Sequence, residues 1–344
     1  MLSLRSLATL ILLVIPPLAL SQAVGTTNPP RETFKNSEAQ YDWITNKQGQ
    51  RIRTIVTRPK NASGKVPVIF FVGWLSCDSV EYSKGETDGF GAIFWRLIEQ
   101  SGFATMRMDK PGVGESEGDC AKTDFQTELD SYRAAFDSLK KYSFVDESKI
   151  FVVGLSNGGG TSPLVSRQNP VRGFVAAGSW GRTWYEHMLE LERRRLSRQT
   201  KLSSAQINEA MKDFTDFYAL YLMRGKTPGE VIEQHPEWKP LWYDAPAGQY
   251  GRPASFYQQL QELNLGKVWQ EVDAAVLVLR GSADTIMSRA DSEAIADSVN
   301  RSRTGRAQYV EIDGADHLLS SGEKLNDAVV PRMLDWMRKQ LELK

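Results

Sequence analysis

Apolar and polar positions follow two different periods along most of the chain. Short, nearly continuous apolar runs predict buried strands over 66–72, 104–108, 150–153, 173–177, 274–279 and 308–312, after two less buried strands over 40–45 and 51–58. Between these runs, apolar residues recur at helical spacing over 91–100, 124–142, 157–168, 289–299 and 325–341. Strands that alternate with helices predict an α/β fold with a mostly parallel sheet covered on both faces.

One long stretch, residues 180–270, breaks this rhythm. It contains no clear strand, is rich in aromatic residues and is predicted to be a helical insertion. The insertion divides the core into a first part over 38–179 and a second part over 271–344. Within it, the charged run over 192–195 is expected to be a solvated face rather than a binding site for an anion.

The amino terminus has the pattern of an export signal. Arg5 precedes an apolar stretch over 7–20, and the small residues of Ser21-Gln22-Ala23 follow it. This stretch is short for a membrane-spanning helix, so residues 1–23 are predicted to be a cleaved signal peptide, with an uncleaved anchor as the alternative. A flexible lead-in is expected over 24–37, and the mature protein is expected to be secreted or periplasmic, without a membrane anchor.

Charge and cysteine content narrow the possible partners. Lys plus Arg and Asp plus Glu both number 42, so nothing indicates binding to nucleic acid or to an anionic membrane. Two cysteines, Cys77 and Cys120, favour a disulfide in an exported chain. No Cys/His cluster indicates a metal site, so no metal or other cofactor is predicted.

The clearest candidate for chemistry is Gly154-Leu155-Ser156-Asn157-Gly158, directly after the apolar run at 150–153. This G-x-S-x-G pattern is typical of a nucleophile elbow, a sharp turn that presents a serine at the end of a strand. The small residues let the strand and the following helix approach closely. A helix that starts near Asn157 would also direct free backbone N–H groups at the reaction centre. Ser156 is therefore the candidate nucleophile.

Two further residues lie where such a serine needs partners. Asp284 follows the strand over 274–279, and His317 follows the strand over 308–312. In a parallel sheet the loops at the carboxyl ends of strands meet at one edge. The order Ser, Asp, His is that of a hydrolase triad. His317 is favoured over the two histidines of the insertion, and Asp284 competes with Asp291, Asp313 and Asp316.

Together these motifs resemble the α/β-hydrolase family. The resemblance rests on the elbow and on three other motifs in register, which are Gly73-Trp74, the stretch Asp109 to Ser116, and the pair Gly281-x-x-Asp284 with Gly314-x-x-His317. It implies an α/β-hydrolase fold with a mostly parallel central sheet, helices on both faces, and a helical cap inserted between the sixth and seventh strands. Asp109 is expected to brace its own turn.

The resemblance and the chemistry assign a role to each residue. His317 would accept the Ser156 proton, and Asp284 would orient the imidazole and stabilise its charged form. The family pattern gives two backbone N–H donors for the oxyanion, those of Asn157 and Trp74. Members often carry His-Gly where this chain has Val72-Gly73, so Leu75 is the alternative second donor. The Cys77–Cys120 bridge would then pin the loop that carries this donor.

These inferences predict an exported serine hydrolase that cleaves a small or medium carboxylic ester. A serine aminopeptidase is the first alternative, and it would need a carboxylate for the free amino terminus, with Glu186, Glu190, Glu192 and Glu233 as candidates in the cap. An acyltransferase and a non-enzymatic binding protein are further alternatives. Dehalogenase and epoxide hydrolase chemistry is disfavoured, because those relatives carry Asp where Ser156 stands.

Overall fold

A computed structural model of the chain describes residues 31–166, 169–199 and 201–343, so the predicted signal peptide lies outside the described residues. The main sheet is built from β1 (Ser37–Thr45), β2 (Arg51–Pro59), β3 (Val66–Val72), β4 (Ala104–Met108), β5 (Val145–Leu155), β6 (Gly173–Ala177), β7 (Ala275–Gly281) and β8 (Ala307–Ile312). Their spatial order is β1-β2-β4-β3-β5-β6-β7-β8. The pairs β1/β2 and β2/β4 are antiparallel, and every later pair is parallel.

The helices are α1 (Gly89–Gln100), α2 (Phe125–Asp137), α3 (Asn157–Ser166), α4 (Trp184–Ser197), α5 (Ser204–Tyr218), α6 (Pro228–Gln234), α7 (Ala254–Gln261), α8 (Leu265–Gln270), α9 (Arg289–Ser302) and α10 (Val329–Glu342). Short 3₁₀ turns occur at Cys120–Lys122, Ser138–Lys141 and Pro236–Leu241, and a π-helical turn at Ala219–Met223. Among the described helices, none combines the length and the hydropathy needed to cross a membrane.

The core consists of two apolar layers, one on each face of the sheet. Along β3, Val68 and Phe70 point into one layer, whereas Ile69 and Phe71 point into the other. Because both faces of the strand are covered, the run is apolar at every position instead of alternating. Helices α1 and α10 cover the Ile69 side, and α2, α3, α9 and the insertion cover the Val68 side. The buried central strands of this sheet form the frame that carries the site.

Helix α1 begins at Gly89 instead of 91 and α9 ends at Ser302 instead of 299, and two other helix boundaries differ for a clear physical reason. Helix α2 ends at Asp137 and continues only as a 3₁₀ turn, Ser138–Lys141, although the apolar spacing runs on to residue 142. Helix α10 begins at Val329 instead of 325, because Ser320–Ser321 pairs with Lys324–Leu325 in a short antiparallel ladder. Burial of Leu325 imitates helical spacing there, so periodicity alone could not separate the ladder from the helix.

The described part of the expected lead-in is packed on the core. Glu32 forms an ion pair with Arg107, 2.7 Å between Nη2 and Oε2, and both side chains are 0% exposed. Phe34 lies against Trp95, with ring centroids 4.6 Å apart. Residues 31–36 are therefore fixed on the core, unlike the flexible lead-in that was expected over 24–37. The buried ion pair requires this, because a buried charge is stable only while its partner is held beside it.

Five helices, α4 to α8, lie between β6 and β7 and form most of the insertion. The expectation that it contains no strand is wrong, because Gly248–Gln249 pairs with Arg252–Pro253 in a two-residue ladder, too short for any periodic signal. The expected solvated face is also wrong in part. Glu192 is 0% exposed and accepts hydrogen bonds from Arg195, Tyr218 and Tyr243.

Candidate active site

Ser156 lies on a strained turn between β5 and α3. Its φ is 54°, a left-handed backbone conformation that costs free energy in a residue with a side chain. Its N–H donates to the carbonyl of Ala177 at 2.9 Å, which ties the turn to β6. A Cβ added at Gly154 would lie 2.4 Å from the carbonyl oxygen of Gly158, so only glycine fits. The fold therefore maintains strain at the predicted nucleophile, a feature typical of functional turns.

Ser156, His317 and Asp284 form a continuous chain of hydrogen bonds. Ser156 Oγ lies 3.1 Å from His317 Nε2, and His317 Nδ1 lies 3.0 Å from Asp284 Oδ2. An ionised carboxylate can only accept, so the ring carries its proton on Nδ1 and leaves Nε2 free to accept from the hydroxyl. Residues 161 positions apart in sequence are thus brought into the arrangement needed for proton transfer.

Asp284 is held in its ionised form. Burial acts to raise its pKa, but the His317 ring, together with the backbone N–H groups of Met287 and Ile286, outweighs burial and lowers the pKa below its ordinary value. Asp284 Oδ1 accepts these two N–H groups at 2.9 and 2.8 Å. The Asp284 side chain is 0% exposed, whereas His317 is 17% exposed. The acid is therefore shielded while the base remains open to a substrate.

The competing aspartates have other partners. Asp291 lies 3.2 Å from His187 Nδ1 and caps the start of α9. Asp316 accepts from the backbone of Leu318 and Ser320, which shapes the turn after His317. Asp313 is bonded to the hydroxyl of Ser282. Among the described residues, Asp284 is the carboxylate that the structure places on the His317 ring.

A residue that the sequence analysis missed holds the loop after Asp284. Arg194, from α4 of the insertion, donates to the carbonyl of Thr285 at 3.1 Å and to that of Ile286 at 2.7 Å. Arg280 also donates to the carbonyl of Asp284 at 2.9 Å. The acid loop is thus clamped from the core and from the insertion. The charged run around Arg194 was its only signal, and composition alone does not identify the target of a charge.

The two predicted oxyanion donors lie on rigid segments. Asn157 is the first residue of α3, where backbone N–H groups have no partner within the helix. Trp74 follows β3, and Lys110 Nζ donates to its carbonyl and, at 2.7 Å, to that of Ser76. Lys110 is another residue that sequence reasoning missed, and burial holds its pKa well below the ordinary value. The choice between Trp74 and Leu75 as second donor stays a prediction.

A disulfide ties the loop after β3 to the loop after β4. Cys77 and Cys120 are joined, with their Cα atoms 6.1 Å apart, as expected from the sequence. Arg252 of the insertion donates to the carbonyl of Cys120 at 3.1 Å and forms a buried ion pair with Glu128. Asp109 braces the neighbouring turn by accepting from Arg53. The disulfide, Lys110 and Asp109, which accepts from the backbone N–H of Val80, therefore hold the loop that carries Trp74.

The surroundings of His317 are apolar. Phe90 meets the imidazole edge to face, with centroids 5.5 Å apart, and Trp74 lies 5.6 Å from Phe90. Leu318 is 41% exposed beside them. Within 31–166, 169–199 and 201–343, no group of three or more His, Cys, Asp or Glu side chains is placed to hold a metal ion. The arrangement offers a nucleophile, a base and apolar walls.

A family model described as serine aminopeptidase, S33, matches residues 85–324. The chain belongs to this family. It is therefore a hydrolase with the α/β-hydrolase fold, as the sequence motifs predicted. The match spans the elbow, Asp284 and His317. No curated protein matches the chain by sequence.

Solved structures of other proteins share the fold at low sequence identity. Est1E from Butyrivibrio proteoclasticus with bound ferulic acid is 16% identical, with a TM-score of 0.58, covering 88% of this chain and 99% of its own. Proline iminopeptidase from Mycobacterium smegmatis is 15% identical, with a TM-score of 0.56, covering 89% and 100%. Acetyl xylan esterase 1 from Thermoanaerobacterium is 17% identical, with a TM-score of 0.52, covering 90% and 85%. The fold thus serves both esterases and a peptidase.

Proposed function

We propose that this hydrolase cleaves carboxylic esters through an acyl-enzyme on Ser156. The observation that carries the proposal is the chain of hydrogen bonds from Ser156 through His317 to the buried, ionised Asp284. A serine hydroxyl is a weak nucleophile at neutral pH, and a base within hydrogen-bond reach activates it. The 3.1 Å separation between Ser156 Oγ and His317 Nε2 lies within that reach.

The reaction follows in two halves. Ser156 Oγ attacks the ester carbonyl while its proton passes to His317 Nε2, and the tetrahedral intermediate collapses when the same proton moves to the leaving alcohol. Water then attacks the acyl-enzyme with His317 again as base, which releases the acid and restores Ser156. Asp284 keeps the ring in the required tautomer and stabilises its charge. The backbone N–H groups of Asn157 and Trp74 would stabilise the oxyanion in both halves.

Ester cleavage is favoured over aminopeptidase activity by the acidic residues of the insertion. An aminopeptidase needs a carboxylate that is free to bind an amino terminus. Glu186 closes the capping box of α4, Glu190 pairs with an arginine, and Glu192 is buried against another arginine and two tyrosines. Glu233 is exposed on α6. None of these four candidates is a sheltered carboxylate that is free to bind an amine, although the family's description keeps the peptidase as second candidate.

The remaining proposals concern substrate size and location. The insertion over 180–270 is proposed to cap the site, which favours a small or medium substrate. Its contacts with the loop after Asp284 and with Cys120 support this position. Export to an oxidising compartment is proposed from the predicted signal peptide and from the disulfide, because disulfides persist outside reducing compartments.

The test combines active-site labelling with turnover. A fluorophosphonate probe is expected to modify Ser156, with the labelled peptide identified by mass spectrometry. The same sample is assayed with p-nitrophenyl acetate and butyrate and with aminoacyl amides. Ser156→Ala should abolish labelling and turnover while the far-UV spectrum and the unfolding midpoint stay those of the wild type.

The outcomes separate the candidate functions. Ester turnover that depends on Ser156 supports the esterase. Faster turnover of amides with a free amino terminus than of esters would favour the aminopeptidase instead. Folded protein that takes no label and turns over neither class would contradict both, and would favour a binding protein.

A further inference from the structure

The residue directly after His317 is turned outward beside the site. Leu318 is 41% exposed, whereas the next residue, Leu319, is 0% exposed and packs into the core layer on the Ile69 side of the sheet. Leu319 has a φ of 60°, a left-handed conformation that is an outlier for a bulky side chain. Strain of this kind persists only where the surrounding structure enforces it, and it concentrates at functional sites.

Asp316 holds this strained turn in place. Its Oδ1 accepts from the N–H of Leu318 at 2.9 Å and from that of Ser320 at 2.8 Å. Its carbonyl accepts from the N–H of Leu319 at 3.1 Å. Single exposed apolar side chains are common on protein surfaces, but this one is presented by a strained, hydrogen-bonded turn next to the proposed base. The fold therefore fixes the outward position of Leu318.

Leu318 belongs to an apolar patch that reaches both His317 and the loop after β3. A Cβ added at Gly89 would lie 3.0 Å from Cβ and from Cδ1 of Leu318, so this side chain lies over the first residue of α1, next to Phe90. The Phe90 ring lies 5.5 Å from the His317 ring and 5.6 Å from the Trp74 ring. Leu318, Phe90 and Trp74 are called the Leu318 patch below.

The Leu318 patch is apolar and accessible. Leucine and phenylalanine carry no polar side-chain atoms, and the polar edge of the Trp74 indole is engaged, because Nε1 donates to Asp78 at 3.2 Å. Trp74 is half-buried and Leu318 is exposed, so a bound group can reach the patch. An apolar group that covers it would be stabilised in proportion to the apolar surface removed from water.

The position of the patch beside His317 decides which part of a substrate it would meet. In the tetrahedral intermediate, the carbon attached to Ser156 Oγ also carries the oxyanion, the acyl chain and the leaving oxygen. His317 Nε2 must come within hydrogen-bond reach of the leaving oxygen to protonate it. The first atoms of the leaving group therefore lie beside the imidazole, where the structure places Phe90 and Leu318.

We propose that the Leu318 patch binds the leaving alcohol of the substrate and favours an apolar alcohol over a small one. This inference rests on the proposed esterase function, because it assigns the alcohol side of that site. Leu318 is a specificity-determining residue and takes no part in the proton transfers. By microscopic reversibility, the same patch binds an alcohol that replaces water in the attack on the acyl-enzyme.

The first test measures kcat/KM with methyl, ethyl, propyl and butyl acetate, which share the acyl group and have leaving alcohols of similar acidity. In the wild type, kcat/KM should rise about tenfold from the methyl to the butyl ester, because each methylene on the patch adds buried apolar area. Leu318→Ala should reduce this rise to about twofold. Leu318→Met conserves volume and apolar character and should keep most of it.

Two controls separate the alcohol side from other effects. A second series, from methyl acetate to methyl butyrate, changes only the acyl group, and its preference should be the same in Leu318→Ala as in the wild type. Leu343→Ala is the matched variant, because Leu343 is 52% exposed and its carbonyl accepts from Arg172, at the amino end of β6 and away from the site. Both series should stay those of the wild type in this variant.

Transfer of the acyl group to an added alcohol gives a second readout. Acetyl-enzyme formed from p-nitrophenyl acetate is offered methanol or butanol, and the two acetate esters are measured by gas chromatography. The alcohol oxygen bonds to the acyl carbon, its proton passes to His317 Nε2, and the same proton then returns to Ser156 Oγ. The wild type should favour butanol about tenfold at equal concentration, and Leu318→Ala should lose most of this preference.

The outcomes separate this inference from the proposed function. A flat alcohol series in the wild type, or a rise that Leu318→Ala leaves unchanged, would overturn the inference. A change confined to the acyl series would also overturn it, because it would place Leu318 on the acyl side. In each of these cases, turnover of p-nitrophenyl acetate that depends on Ser156 would leave the esterase proposal intact, whereas failure of every ester would overturn both.

Discussion

A single methyl group at Gly158 should disable the site while leaving the fold in place. A Cβ built on Gly158 would lie 2.3 Å from the carbonyl oxygen of Gly73 and 2.4 Å from that of Val72. An ordinary contact is about 3.5 Å, so the start of α3 and the end of β3 must separate by about 1 Å. Both neighbours are backbone atoms, so no side-chain rotation can relieve the contact.

The displacement acts on the two predicted oxyanion donors. The carbonyl of Gly73 belongs to the same peptide group as the N–H of Trp74, and Gly158 directly follows Asn157 in α3. Pushing these segments apart therefore widens the space between the two N–H groups. A misplacement of about 1 Å costs about 100-fold in rate, and an overpacked contact costs about 1–3 kcal/mol of stability.

The assay measures kcat/KM with p-nitrophenyl acetate and the free energy of unfolding in urea. Gly266→Ala is the matched control, because a Cβ there meets its nearest atoms at ordinary distances of 3.6 and 3.8 Å, near the start of α8. It should keep wild-type activity and gain about 0.5 kcal/mol from helix propensity. If Gly158→Ala kept kcat/KM within about twofold of the wild type, the reasoning about donor spacing would be wrong.

Three further predictions concern the contacts that hold the site. Arg194→Gln should lower kcat about tenfold with little change in KM, because the loop after Asp284 loses two hydrogen bonds to its carbonyls. Asp291→Asn should destabilise the fold by about 3–5 kcal/mol at neutral pH, measured by urea unfolding, because Asp291 is buried against His187 and an arginine. Replacing Cys77 and Cys120 by Ser should lower the free energy of unfolding by about 4 kcal/mol, given their separation of 43 residues.

Each of these has its own check. Arg193→Gln changes an exposed arginine on the same helix and should leave kcat unaltered, and Arg194→Lys should restore part of the loss. An unchanged kcat in Arg194→Gln would mean that Arg280 and Arg198, which also donates to the carbonyl of Thr285, hold the acid loop without Arg194. For the disulfide, an unfolding curve that is insensitive to the double substitution and to reductant would contradict the expected stabilisation.

The Asp291 prediction has a defined pH dependence. Burial would raise the pKa of Asp291, but His187, Arg182 and the backbone of Ser288 outweigh it, so the folded-state pKa lies below the ordinary value of about 4. A lowered pKa gives stability that is fully present above the unfolded-state pKa and is lost as the pH falls through the folded-state value. The difference between wild type and Asp291→Asn should therefore shrink below about pH 4. If the difference in unfolding free energy between wild type and Asp291→Asn stayed constant down to pH 2, ionisation of Asp291 could not be its cause.

Much of the fold was predictable because its signals are local. Strand β3 and residues 150–155 of β5 are covered on both faces, so each appears in the sequence as a nearly unbroken apolar run. The elbow was predictable because only glycine fits at positions 154 and 158. A Cβ added at either position would lie 2.3–2.4 Å from a backbone carbonyl oxygen. The order of Ser156, Asp284 and His317 was also visible, because each follows its own strand and parallel strands end at one edge.

The tertiary structure alone decided which distant groups meet. Asp284 and Asp291 lie seven residues apart, one before and one at the start of α9, and only the packing decides their partners. Helix α4 brings His187 to Asp291, whereas the loop after β8 brings His317 to Asp284. Glu192 lies in a charged run and still faces inward, because Arg195 and two tyrosines neutralise and bind it there. Local periodicity indicates which apolar residues are buried, whereas the burial of a charge and the identity of its partner depend on contacts that only the folded chain makes.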